Sequence, residues 1–162
     1  MSARPFRLPL SSLLHRHLRP GDFLDSYAVP LPDPRATPLQ LAQHLADMPH
    51  WVTALLALRD GLVRPFGLKT AADFPPPSSN PGIGDYVNFF RVDALSETEA
   101  ILGENDRHLD YRVSVLKTLG PDPKVVISTW VHPHNSLGRL YLAGVLPFHK
   151  LIVKRMLARL AA

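Results

Sequence analysis

The sequence predicts an α+β fold in which one antiparallel sheet wraps around a long C-terminal helix. From Asp85 onward, apolar residues recur at every second position in successive runs joined by short polar connections, a spacing that favours antiparallel neighbours. Residues 137–160 then carry a helical pattern that, at ~36 Å, is long enough to cover such a sheet. Two short helical patterns precede the alternating runs and follow a first strand.

The first strand is predicted over residues 22–31, where prolines end the alternation. Thr37 is then a predicted N-cap, with Pro38 at the first position of a helix that ends before Pro49. A second helix is predicted over 50–63. Its large apolar residues have the i, i+4, i+7, i+11 spacing expected of a buried stripe: Trp51, Leu55, Leu58 and Leu62.

Residues 70–84 are rich in Pro, Ser, Gly and Asn and have no apolar period, which predicts a loop. Its length, about 15 residues, is typical of a functional lid or a disordered segment. Four strands of an antiparallel meander are predicted after it, over residues 86–93, 99–103, 108–117 and 124–132.

Alternation gives each of the last two strands two faces. In 108–117, one face is mainly apolar (Leu109, Tyr111, Val113, Val115) and the other polar (Asp110, Arg112, Ser114), and either face is a candidate for burial under the helix. In 124–132, one set is Val125, Ile127, Thr129 and Val131. The opposite set mixes apolar and polar groups, which favours the lining of a partly wet cavity: Val126, Ser128, Trp130 and His132.

The final helix follows the turn His132-Pro133-His134-Asn135, in which Asn135 or Ser136 is a suitable N-cap. Pro147 removes one backbone hydrogen bond and predicts a kink near residues 143–144. The helix face expected to meet the sheet is Tyr141, Val145, Phe148, Ile152 and Met156.

Composition fits an N-terminal arm, 1–21, followed by a single domain, 22–162. There is no cysteine, which excludes disulfides and thiol catalysis and is compatible with the cytoplasmic location that we expect. Residues 1–21 and 123–162 carry only basic charges, whereas 22–122 is acidic overall. We interpret the basic ends as solvated surface rather than a nucleic-acid site. No apolar run is long enough for a signal peptide or a membrane span.

The predicted order of elements is that of the helix-grip fold of START and Bet v 1-like (SRPBCC) proteins. Three segments add a closer likeness: PHWVTALLALRDGLVRPFGLK (49–69), HLDYRVSVL (108–116) and VHPHNSLGRLYLAGVLPFHKLIVKRML (131–157). Together they resemble a bacterial family known as domain of unknown function number 2867, and the likeness covers roughly residues 22–160. It implies a fold and no established activity. A related domain resembles the tail of some bacterial proteins with a nucleotide-sugar-epimerase-like domain.

The first functional hypothesis is a non-enzymatic protein that binds a small apolar or amphipathic molecule between sheet and helix, without a cofactor. The loop 70–84 gates the mouth of the cavity in this hypothesis. The candidate ligand-binding residues are Asp110, Tyr111, Arg112, Val126, Trp130, His132, Tyr141, Phe148, His149 and Ile152.

Two alternatives stay open. In one, the cavity belongs to a cyclase, dehydratase or isomerase, with His132 or His149 as acid–base group and Asp110 fixing the tautomer. In the other, the chain is an interaction module with a filled core and a conspicuous surface patch. A metal held by His132 and His134, with His149 or Asp110 as third ligand, is disfavoured because no firm third ligand has recognisable spacing. The motifs of hydrolases and kinases are missing.

Overall fold

A computed structural model of the protein describes residues 3–160. Seven strands form one antiparallel sheet in the order β1-β2-β7-β6-β5-β4-β3, joined by three helices. The predicted α+β, helix-grip-like architecture is confirmed. In chain order the elements are β1 (Arg4–Pro5), β2 (Phe23–Pro30), α1 (Pro38–Ala46), α2 (His50–Val63), β3 (Tyr86–Val87), β4 (Phe90–Leu95), β5 (Glu99–Asn105), β6 (Leu109–Lys117), β7 (Lys124–Pro133) and α3 (Ser136–Leu160).

Helix α1 begins where the capping signal places it. The Thr37 hydroxyl accepts a hydrogen bond from the backbone N–H of Gln40 at 3.1 Å, and the Gln40 side chain accepts one from the Thr37 N–H at 2.8 Å. Two backbone donors at the helix start are thereby satisfied. The predicted start at Thr37-Pro38 is confirmed.

The strand predicted over residues 86–93 is wrong as a single element. Asn88 has a left-handed backbone with φ of 58°, and Val87 pairs with Phe90 across a two-residue turn. Asn adopts this conformation more readily than other non-glycine residues, so a tight hairpin forms where alternation alone indicated a continuous strand.

The buried stripe predicted for α2 is also wrong. Trp51, Leu58 and Leu62 are 39%, 61% and 65% exposed, whereas Val52 and Val63 are buried. The helix is apolar on nearly every side, so its periodicity does not identify the side that packs against the rest of the protein.

Helix α3 is capped by Asn135, whose side-chain oxygen accepts a hydrogen bond from the N–H of Gly138 at 2.9 Å. Gly138 is buried against the strand connection. The approach is so close that a Cβ at this position would lie 2.0 Å from the carbonyl oxygen of His108. The start of α3 is therefore held tightly against the loop before β6. Pro147 lies inside the helix.

Both faces of the sheet are covered. The main core lies on the side of α1 and α3, and its fully buried members include Val29, Val92, Val115, Val125 and Leu157. The opposite face is covered by the N-terminal arm, of which residues 3–21 are described and residues 1 and 2 lie outside the described range. The arm contains β1 and a 3-10 turn, Leu13–His17, and buries Leu14 against Ile101 and Trp130.

The arm is fixed by a buried carboxylate. Glu99 is 1% exposed and accepts hydrogen bonds from the Ser12 hydroxyl and the Leu13 backbone N–H, both at 2.6 Å, and from the Ser114 hydroxyl. These donors compensate for the loss of water around the charge. Within residues 3–160, none of the helices combines the length and apolar character needed to cross a membrane.

Candidate functional site

A cavity of about 330 Å³ lies between the sheet and α3. The sheet supplies the side chains that alternate toward the helix, among them Leu102, Val113, Val115, Ile127 and Val131. The helix supplies residues of one face, which recur with its 3.6-residue period, among them Leu142, Val145, Leu146, Ile152 and Val153. Two periodic patterns therefore face each other across the space, and nearly all of this wall is apolar.

The segment 70–84 contributes Ala71 and Phe74 to the wall of the cavity. It contains a 3-10 turn, Ala71–Asp73, whose first backbone N–H at Ala71 donates to the Asp60 carboxylate at 2.8 Å. The loop is therefore attached to α2 beside the cavity. Its predicted gating role stays a prediction.

Arg59 of α2 lies at a polar part of the wall. Its Nη1 donates to Asp60 Oδ1 at 2.8 Å and to the Lys69 carbonyl at 2.6 Å, and its Nε donates to the Tyr141 hydroxyl at 2.9 Å. Burial by itself lowers the pKa of Arg59, but the hydrogen bonds and charges of Asp60 and Tyr141 raise it above its ordinary value. Arg59 thus links α2, the following loop and α3.

His108 precedes β6 and lines the cavity with 2% of its surface exposed. Its ring meets the Tyr141 ring edge-on, with centroids 5.1 Å apart. Asp106 Oδ2 lies 3.4 Å from Nδ1 without hydrogen-bond geometry, so neither ring nitrogen has a partner within residues 3–160. Burial, aided by the charge of Arg59, lowers the pKa of His108 despite the nearby Asp106. The imidazole is therefore a neutral group with unused hydrogen-bonding capacity.

Tyr111 and Glu104 stand opposite each other on β6 and β5 and both line the cavity. Burial, with the neighbouring Glu104 charge, raises the pKa of Tyr111 far above its ordinary value, so its hydroxyl stays protonated. Glu104 accepts a hydrogen bond from the Tyr86 hydroxyl at 3.0 Å and lies 3.8 Å from Lys69 Nζ.

On another part of the wall, a histidine that lines the cavity is paired with a carboxylate behind it. His149 lines the cavity, and its Nε2 is 3.2 Å from Asp25 Oδ1 on β2. Phe23 packs edge-on against the imidazole with ring centroids 6.0 Å apart. The second carboxylate oxygen of Asp25 is buried without a hydrogen-bond partner among the described residues.

The structure brings four of the ten sequence-predicted site residues to this cavity: Tyr111, Tyr141, His149 and Ile152. They come from β6 and α3, the two elements that were expected to face each other. Whether they bind a ligand stays a prediction.

Five others do not line it, and their predicted placement is wrong: Asp110, Arg112, Val126, Trp130 and His132. They alternate to the opposite face of the sheet, where the arm packs over Trp130. The mixed polarity of Val126, Ser128, Trp130 and His132 predicts a cavity lining, and this prediction is wrong. These side chains lie on the arm side of the sheet, where their polar groups form hydrogen bonds with other protein groups.

Trp130 and His132 share one partner, the carboxylate of Asp22. The Trp130 indole N–H donates to Asp22 Oδ2 at 2.6 Å, and His132 Nδ1 lies 2.6 Å from Asp22 Oδ1. Burial by itself raises the pKa of Asp22, but the hydrogen bonds from His132 and Trp130 outweigh it and hold that pKa below its ordinary value. Arg112 Nε donates to Asp93 at 3.2 Å. His132 is therefore bonded to Asp22, and not to the Asp110 that the acid–base hypothesis required.

Phe148 is also misplaced in the prediction, since it is 52% exposed. The residues that face the cavity run through Tyr141, Val145, His149 and Ile152. Phe148 is not among the residues that line the cavity, and its exposure shows that it points toward solvent.

No group of three or more His, Asp or Glu side chains within residues 3–160 is arranged to hold a metal ion. His134 Nε2 lies 3.1 Å from Asp110 Oδ2, whereas His132 is bonded to Asp22. The two histidines of the His-x-His pair thus have separate carboxylate partners.

Sequence reasoning did not select Arg59 and His108 as site residues. Arg59 could have been identified from the sequence, because it is an arginine in a helix that is otherwise almost entirely apolar. His108 carries no such signal, because it is only the first residue of the predicted strand 108–117 and its burial depends on the later packing of α3.

A family model with the description "Protein of unknown function (DUF2867)" matches residues 17–156. No curated protein and no solved structure matches the chain significantly. The matched range includes every residue described above as lining the cavity.

Proposed function

We propose that this chain, which belongs to the DUF2867 family of proteins of unknown function, binds a small apolar or amphipathic molecule in the cavity between its sheet and α3. The observation that carries the proposal is an apolar wall interrupted by a few polar groups with unused hydrogen-bonding capacity. Ligand pockets are commonly about 300–1,000 Å³ and have this composition, and the cavity of about 330 Å³ lies within that range.

Packing physics supports the same proposal. Protein interiors are close-packed, and empty spaces much larger than a water molecule are few. An apolar space of this size costs the protein the dispersion contacts that its lining would otherwise make. A ligand that fills it restores those contacts.

The proposal is tested by titrating the purified protein with Nile red, an uncharged apolar dye. Val145→Phe places a larger side chain on the cavity wall and is expected to weaken dye binding more than tenfold, about 1.4 kcal/mol. The matched control is Leu140→Phe on the same helix, at a position 73% exposed, which leaves binding unchanged. Equal dye affinity of Val145→Phe and the wild type would contradict binding in this cavity.

A second candidate is an acid–base enzyme of the cyclase, dehydratase or isomerase type. It is favoured by the His149–Asp25 contact at the cavity wall, with Asp25 in the orienting role that the sequence had suggested for Asp110. If this candidate is correct, wild-type protein co-purifies with a product and His149→Gln with its precursor, which chromatography and mass spectrometry distinguish. Identical bound molecules in both proteins exclude turnover through His149.

The interaction-module hypothesis expected a filled core, and we do not propose it for a chain with this cavity. We propose a cytoplasmic location in a bacterium, supported by a sequence without cysteine. Fractionation of cells that express the native protein tests the location, and recovery outside the cytoplasmic fraction would contradict it.

A further inference from the structure

We propose that the cavity selects an uncharged ligand whose polar end is a hydroxyl or carbonyl group, held by His108 and Tyr111. This ligand class rests on the binding function proposed above and adds the chemistry of the molecule bound. It follows from which polar groups around the cavity are free and which are already paired.

His108 supplies a free donor and a free acceptor. A neutral imidazole carries one N–H and one unprotonated nitrogen, and in His108 both nitrogens are buried without partners among the described residues. The ring is held in place by its edge-on contact with Tyr141 and by the backbone packing of Gly138 against the His108 carbonyl. Buried polar groups in proteins are normally hydrogen-bonded. A ligand oxygen within the cavity would supply the hydrogen bond that the His108 ring lacks.

Tyr111 supplies a second polar group on the cavity side of β6. Its hydroxyl has no hydrogen-bond partner within residues 3–160, and its neighbours Glu104 and Tyr141 line the same cavity. A protonated phenol both donates and accepts a hydrogen bond. It therefore suits a hydroxyl or a carbonyl oxygen equally well.

The charged groups nearby disfavour an anionic ligand. Arg59 is paired with Asp60 at 2.8 Å, Lys69 lies 3.8 Å from Glu104, and Asp106 adds a third carboxylate 3.4 Å from His108. Two cations against three carboxylates leave a net charge of −1 in this part of the wall. A ligand carboxylate or phosphate would lose its water there and find no unpaired cation.

A cationic ligand is disfavoured for a different reason. The Arg59 guanidinium lies 5.4 Å from the centroid of the Tyr141 ring and occupies the aromatic face that would attract an ammonium group. The net charge of −1 attracts an ammonium group only weakly, because Arg59 and Lys69, the cations beside Asp60 and Glu104, repel it. An uncharged polar end needs no unpaired cation for its binding and is not repelled by Arg59 and Lys69.

The experiment uses three ten-carbon probes that differ only in the head group: 1-decanol, decanoate and decylammonium. Each competes with Nile red for the full-length protein at neutral pH. We expect decanol to bind at least about tenfold more tightly than either charged probe, because only its head group is accepted without an unpaired charge.

Two variants connect this preference to the named residues. Tyr111→Phe keeps the ring and removes the hydroxyl, and His108→Leu replaces the imidazole with an apolar group of similar size. Each is expected to weaken decanol binding several-fold while Nile red binding is retained. His44→Leu, at an exposed position of α1, is the matched control and leaves all three probes unchanged.

The outcomes separate the two proposals. Stronger binding of decanoate or decylammonium, or equal binding of all three probes, overturns the uncharged ligand class and leaves the binding function standing. A decanol preference that survives both variants overturns the roles of His108 and Tyr111. Failure of the wild type to bind Nile red or any probe overturns the binding function and, with it, the ligand class.

Discussion

At the scale of single residues, the buried polar groups of this protein fall into two kinds. Glu99 and Asp22 on the arm side have their carboxylate oxygens bonded to hydroxyl, indole, imidazole or backbone groups. His108, Asp25 and Asp110 have buried atoms without a partner among the described residues; His108 and Asp25 lie on the cavity side, whereas Asp110 lies on the opposite face. Paired groups of the first kind stabilise the fold, whereas the unpartnered His108 is the group to which our proposal assigns the polar end of a ligand.

The burial of His108 predicts how stability depends on pH. Its pKa in the folded protein is lowered below the ordinary 6.5, so between that folded value and 6.5 the unfolded chain binds more protons. The stabilisation is fully present above about 6.5 and is lost as the pH falls toward the folded pKa. Urea unfolding from about pH 5 to about pH 8 is expected to show stability rising with pH, with a shallower rise for His108→Leu. Identical slopes would show that His108 titrates normally.

At the scale of secondary-structure elements, part of the fold can be predicted from the sequence and part cannot. The start of α1 is encoded locally by Thr37, Pro38 and Gln40, and the strands β6 and β7 are encoded by alternation. The face of β7 that meets α3 is not encoded in this way, because the arm buries the other face and both sets of residues are therefore inside. Alternation therefore does not exclude Trp130 and His132 from the cavity, whereas in the structure both side chains are bonded to Asp22, which is distant in sequence.

Two glycines in α3 give a matched test of the helix packing. An added Cβ at Gly138 would lie 2.0 Å from a backbone oxygen, so Gly138→Ala is expected to lower the free energy of unfolding by about 1–3 kcal/mol. Gly144 has nothing within 4 Å of such an atom, and Gly144→Ala is expected to raise it by about 1 kcal/mol through helix propensity. Urea midpoints measure both. Equal and small effects would contradict the close approach of α3 to His108.

The arm gives a second matched pair. Ser12→Ala removes one hydrogen-bond donor from the fully buried Glu99 and is expected to cost about 1–3 kcal/mol of unfolding free energy. Ser11 is its exposed neighbour, and Ser11→Ala is expected to change stability by less than about 0.5 kcal/mol. Thermal or urea unfolding that does not distinguish the two variants would mean that the arm is not docked through Glu99.

At the scale of the whole molecule, one sheet separates two different interiors. The arm side contains the buried carboxylates Glu99 and Asp22 with their partners, whereas the side facing α3 contains a cavity of about 330 Å³. The architecture was predictable from the order of elements. The location of the cavity was not, because it depends on which face α3 covers and on how α2 and the loop 70–84 close around it.

Native mass spectrometry of the purified protein tests the proposed binding function most directly. It is expected to show a population heavier than the bare chain, whose extra mass is released as a small uncharged molecule on denaturation and is reduced in Val145→Phe relative to Leu140→Phe. Only the bare chain in repeated preparations, with no added mass after incubation with decanol, would contradict the proposal that this protein holds a ligand between its sheet and its C-terminal helix.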